Sequence, residues 1–144
     1  MPYVSERWKS LLTIKKIKME TSNSNQIVRS VWAILRITFG IVPIIAGLDK
    51  FTDLLTDWDK YLHPGIASML PFSVHVFMQI VGGIEIIAGI LVFAKPSFGG
   101  WLVMAWLICI ALTLLASGKY LDVAVRDLVM SIGAMSLARL SKTV

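Results

Sequence analysis

The sequence predicts an all-α integral membrane protein, a bundle of four transmembrane helices with an interfacial helix between the first and second spans. Three observations lead there. Hydrophobic residues make up 56% of the 144 and charged residues only 16%, whereas a soluble domain carries about 25% charge. Four apolar windows approach the roughly 20 residues that a helix needs to cross a bilayer. Lys and Arg then fall unevenly on alternate connections, as the positive-inside rule requires. The net charge of +5 invites a nucleic-acid reading, but a mean hydropathy of +0.75 excludes that, and disorder with it.

Residues 1–26 form a basic N-terminal segment ahead of a membrane domain at 27–144. In it Trp8, Leu11, Leu12, Ile14 and Ile17 interleave with Lys9, Lys15, Lys16 and Lys18. That pattern suits a helix lying on an anionic leaflet, with a disordered basic tail as the alternative. The lysines break the apolar stretch too often for a signal-peptide core. Thr21-Ser22-Asn23-Ser24-Asn25 reads as a flexible link.

Span one covers about Val31 to Leu48 and contains Arg36. Beyond it, Phe51, Leu54, Leu55, Trp58, Tyr61 and Leu62 recur at helical spacing opposite Thr52, Asp53, Thr56, Asp57 and Asp59, which predicts the interfacial helix. His63-Pro64-Gly65 is its expected stop. Its role is a cap over the bundle, or a lid or docking surface. Span two, about Phe72 to Phe93, holds His75 and Glu85; span three, Phe98 to Ala116, holds no charge. Span four, about Leu121 to Leu140, begins with Asp122, Arg126 and Asp127.

Outside the spans, Arg7, Lys9, Lys15, Lys16, Lys18, Arg29, Lys95, Arg139 and Lys142 share one side. Lys50, Lys60 and Lys119 lie on the other, among five aspartates. Both termini are therefore expected in the cytoplasm. Trp32 and Trp101 near the inner ends, and Trp58, Tyr61 and Tyr120 near the outer ends, form an aromatic belt. Trp101, Trp106 and Leu112 read as a lipid-facing stripe.

Cys109 is the one cysteine, which excludes an internal disulfide or a CxxC redox pair. Its apolar surroundings suggest a small buried hydrophobe. His63 and His75 alone make no convincing metal or haem site.

Charges within the spans carry the functional argument, because each costs about 2.5–3.5 kcal/mol at mid-bilayer. Arg36 lies about 21 Å along the helix from Lys50, and Glu85 about 21 Å from Pro71, so the two are expected to meet as a pair. Arg29, Arg36, Gly40, Pro43, Gly47 and Lys50 form one stripe on span one. Met78, Gly82, Glu85 and Gly89 form another on span two, with His75 at its edge. Glycines seven apart on each stripe permit close helix approach. Asp49, Lys50, His75, Arg126 and Asp127 are expected to floor a polar pocket nearer the outer surface. Pro43 is expected to kink span one and free the carbonyl of Phe39. These charges either lock helix register and snorkel, or bind the polar head of a quinone, lipid or other amphiphile.

Arg36-Ile-Thr-Phe-Gly40 followed by Gly47-Leu-Asp-Lys50-Phe51 resembles the first-helix pattern of the DoxX-like family. Gly82-Gly-Ile-Glu85-Ile-Ile-Ala-Gly89-Ile-Leu-Val-Phe93 is similar to that family's second helix, and Arg126-Asp127-Leu128 to the start of its last. The resemblance covers about Val31 to Leu137. It implies a four-helix bundle related to a subunit of thiosulfate:quinone oxidoreductase, in a bacterial or archaeal inner membrane. By position it marks Arg36, Lys50, Glu85 and Arg126. The basic N-terminus lies outside the pattern, and no thiosulfate site is evident in the sequence. The function expected is a redox-associated membrane subunit with a pocket for a quinone-type or lipid-type amphiphile between spans one, two and four. Its partners would be the bilayer and other membrane subunits or a second copy, with no nucleic acid. The rivals are a non-catalytic accessory subunit of a larger membrane complex and a small proton-coupled carrier.

Overall fold

The computed structural model describes residues 2–144, with side chains from Glu6 onward. Helix α1 spans Pro2–Asp49, α2 Pro64–Ala67, α3 Val74–Ala94, α4 Pro96–Ser117 and α5 Leu121–Leu140, with a 3-10 turn at Asp59–Tyr61. Among the described residues there is no strand. Helices α1, α3 and α4 are long and apolar enough to cross a membrane. Helix α5 has 20 residues, but Asp122, Arg126 and Asp127 in its first two turns, with Arg139 in its last, keep it out of that set.

Helix α1 is one 48-residue rod, about 72 Å long at 1.5 Å per residue. That is more than twice the thickness of a bilayer's hydrocarbon core, about 30 Å. The link expected at Thr21–Asn25 is helical instead. Ser, Thr and Asn are indifferent helix formers, not breakers, and no glycine or proline stands between Pro2 and Gly40 to stop the helix. Residues 6–27 are exposed throughout. Pro43 sits inside α1, which continues through it.

The interfacial helix expected over Phe51 to Leu62 does not form; turns and the short 3-10 segment take its place. Asp49 explains the difference. Its Oδ1 accepts from the amides of Leu54 and Leu55 at 3.0 and 2.9 Å, and its Oδ2 from Trp58 Nε1 at 2.7 Å. A side-chain acceptor that gathers nearby amides gives the backbone an alternative to the helix. His63-Pro64-Gly65 starts an element where a stop was expected. His63 Nδ1 accepts from the Gly65 amide at 2.9 Å and Pro64 takes the first helical position of α2, where its missing N–H is harmless.

The two glycine stripes do face each other. A Cβ on Gly47 would stand 2.5 Å from the Gly82 carbonyl oxygen, and one on Gly89 2.5 Å from that of Gly40. Only hydrogen fits at these positions, so α1 and α3 pack backbone against backbone. This register makes α3 overhang the end of α1 by about six residues, roughly 9 Å. Helix α5 packs along α4, with Gly100 against Ala134 and Ala138. Gly99 lets the start of α4 press on the backbone at Val92. Leu137 and Val92 are the largest fully buried side chains, in a cluster with Phe39, Val103 and Ala134.

Candidate functional site

Above that core the helices diverge around a cavity of about 700 Å³, bounded by α1, α3, α4 and α5 and reached by Trp58 and Tyr61 from the connecting loop. Most of its wall is aliphatic or aromatic, including Met78, Val81, Leu107, Ile110 and Met130. Four charged side chains interrupt it, Lys50, Glu85, Arg126 and Asp127, with the indole of Trp106 among them.

Lys50 Nζ donates to Glu85 Oε2 at 2.6 Å, with only 4% and 8% of the two side chains exposed. Lys50 begins just past the end of α1, above the level of Glu85, and its four-carbon stem and the Glu85 side chain together bridge that height. Bare backbone at Gly82 opens the route, since a Cβ there would stand 3.0 Å from Lys50 Cβ. The ammonium also lies 3.6 Å from the centroid of the Trp58 ring, a cation–π contact of the desolvated kind. Trp106 Nε1 reaches the other carboxylate oxygen, Oε1, at 3.4 Å. Asp127 is 8% exposed and has no hydrogen-bond partner among the described residues. Arg126 borders the same cavity with its side chain largely exposed.

The expected Arg36–Glu85 pair is corrected here. In the glycine-set register Arg36 is level with Phe93, eight residues and about 12 Å beyond Glu85. Arg36 donates from Nη2 to the Phe93 carbonyl, one of the four end carbonyls that α3 cannot satisfy itself. The guanidinium lies 5.1 Å from the Trp32 ring centroid, so Arg36 caps α3 at the far end of the bundle. Equal counts from Lys50 and from Pro71 do not mark equal depth, because α3 starts at Val74 behind the Ser73 cap and overhangs α1.

Two other expected pocket residues lie elsewhere. Asp49 is buried, but its oxygens are turned to the loop amides and Trp58. His75 lies on the α3 overhang, its Nδ1 3.8 Å from both Asp53 Oδ2 and Asp59 Oδ1 and its Nε2 3.2 Å from Gln79. Among the described residues no three His, Cys, Asp or Glu side chains gather where they could hold a metal ion. Cys109 is exposed, not buried.

Trp106 was missed as a site residue because it was grouped with a lipid-facing stripe. One signal pointed inward: it sits midway along α4, away from both interfaces where an aromatic belt belongs. A buried indole N–H usually has a partner, and here that partner is Glu85.

Asp49→Ala is expected to cost about 2–3 kcal/mol, the scale of one strong hydrogen bond to a charged group, because three donors lose their acceptor together. Proteolysis between residues 51 and 62 should quicken at least tenfold while cleavage within α3 and α4 is unchanged, and Asp49→Asn should fall between. Equal cleavage in the variant and the parent protein would remove Asp49 as the organiser of the loop.

No protein-family model, no curated protein and no solved structure matches this chain.

Proposed function

We propose that the chain is a small four-span membrane protein that holds a quinone-type or lipid-type amphiphile, its polar head at Lys50, Glu85, Trp106 and Asp127. The fourth span is α5, which tolerates its charges because Asp127 is buried at the cavity and Arg126 is exposed within two turns of the helix start. Both termini then lie in the cytoplasm, with Lys95 and Lys142 on that side. A bacterial or archaeal inner membrane and a redox-associated role belong to the same proposal, through the DoxX-like pattern at Arg36–Phe51, Gly82–Phe93 and Arg126–Leu128.

The cavity is the observation that carries this reading. Small-molecule pockets are about 300–1,000 Å³, mostly apolar, with a few convergent polar groups, and this one has that size and composition. Lys50, which spends one of its three donors on Glu85, offers another to a carbonyl or phosphate oxygen. Asp127, which accepts no hydrogen bond among the described residues, offers an acceptor to a hydroxyl head. A quinol or a glycerolipid presents both kinds of group beside an apolar body that the upper wall accommodates.

Ala46→Phe places a ring in this cavity from α1, where Ala46 is part of the wall. The protein is extracted gently from its own membrane and weighed intact by native mass spectrometry. A bound amphiphile is expected on the parent protein, reduced at least tenfold on Ala46→Phe and on Asp127→Leu with folding retained. If no amphiphile is found and both variants still assemble with a partner, the chain is a non-catalytic accessory subunit and the pocket reading fails.

A further inference from the structure

The opposite end of the bundle contains a second, different cleft. It has a volume of about 670 Å³ and is lined by Trp32, Arg36, Lys95, Trp101, Ser141 and Lys142, with the first turn of α4 at its edge. Three of these side chains are cationic and none is anionic. The nearest acid along α1 is Glu20, twelve residues from Trp32 and about 18 Å away along the helix, and no acid lines the cleft. Lys95 and Lys142 make no ion pair among the described residues. Arg36 spends one donor on the Phe93 carbonyl, while its Nε is buried with no partner.

The cleft is built as well as charged. Trp32 is fixed by its Nε1 hydrogen bond to Ser141 Oγ at 2.9 Å, and the same ring carries Arg36 on its face. Pro96 opens α4, so the free amides of that first turn add to the positive potential beside Lys95. Exposed Trp101 stands at the rim, where an indole favours the level of lipid headgroups.

We propose that this cleft binds the phosphate of an anionic phospholipid headgroup, with Arg36, Lys95 and Lys142 as its cationic walls. Basic pockets between helices at the cytoplasmic face take such groups, and each exposed Lys or Arg there adds about fivefold to the affinity for anionic lipid. The site is separate from the amphiphile cavity, and its failure would leave that cavity intact.

The test uses the full chain in mixed micelles of phosphatidylglycerol and phosphatidylcholine, with stepwise delipidation followed by native mass spectrometry. The parent protein is expected to keep phosphatidylglycerol preferentially. Lys95→Gln with Lys142→Gln, which touches no hydrogen bond of the fold, should weaken that retention about thirtyfold, and phosphatidylcholine retention should not change. A second variant with Lys9, Lys15, Lys16 and Lys18 all changed to Gln should retain the lipid as the parent does. Inorganic phosphate at millimolar concentration forms the other arm. Weak competition assigns the site to lipid, and displacement at an affinity equal to the lipid's assigns the same phosphate site to a soluble anion. The proposal is overturned by equal retention of the two lipids on the parent protein, or by a loss that follows the N-terminal lysines instead of Lys95 and Lys142.

Discussion

Glu85→Ala is expected to destabilise the protein by about 3–5 kcal/mol, the usual cost of removing one partner from a buried ion pair. The loss comes from what remains behind. Lys50 keeps its buried position, 4% exposed, and its ammonium loses its one ion pair, left with the Trp58 ring and the unbonded Asp127 carboxylate of the same cavity. Glu85→Gln should cost less, because an amide oxygen still accepts from Lys50 and the shape is kept. The double replacement Lys50→Met with Glu85→Leu should recover most of the loss, since a buried pair exchanged for apolar groups of like volume is often neutral or stabilising. Arg36→Ala should cost less, about 1.5–3 kcal/mol, the value of one hydrogen bond from a charged group, because no buried opposite charge is left behind. Reversible unfolding in a fixed detergent mixture checks the series, with the coupling between Lys50 and Glu85 read from a double-mutant cycle. If Arg36→Ala proves as damaging as Glu85→Ala and couples to it, the Lys50 assignment is wrong.

That series also separates what was legible in the sequence from what was not. Spacing alone showed which faces of α1 and α3 meet, because glycines seven apart repeat on one side of a helix whatever its depth. Depth was not legible, because it depends on where each helix ends. Pro71 looks like the start of α3, yet Ser73 caps it and the chain before it is irregular. Both cationic candidates on α1, Arg36 and Lys50, lie on the same stripe, so a shift of two turns exchanges one for the other as the partner of Glu85. The loop failed for a related reason. Apolar residues at helical spacing from Phe51 to Leu62 are equally compatible with a folded loop, and the deciding fact was that one carboxylate, Asp49, collects the amides that a helix needs. Trp106 was legible only as an anomaly, an indole midway along an uncharged helix. The inner cleft was not legible as a unit, because its residues come from α1, the Lys95 turn and the C-terminal end.

Gly82→Ala and Gly83→Ala, one position apart, are expected to move stability in opposite directions. Both replacements improve the intrinsic helix preference of α3 by about 1 kcal/mol. At Gly83 nothing lies within 4 Å of the added methyl, so that gain should be expressed in full or nearly so. At Gly82 the methyl meets the Gly47 carbonyl oxygen at 2.6 Å, Lys50 Cβ at 3.0 Å and the Phe51 ring at 3.2 Å. Backbone cannot yield as a flexible side-chain tip can, so α1 and α3 must separate, and overpacking of this kind costs about 1–3 kcal/mol. Separation also lifts Lys50 away from Glu85, so Gly82→Ala should weaken the coupling measured in the double-mutant cycle while Gly83→Ala leaves it unchanged. The same unfolding assay reads both effects. Equal stability of the two variants would mean that α1 and α3 do not touch through their glycines. The register that joins Lys50 to Glu85 and sends Arg36 to the far end of the bundle would then lose its physical basis.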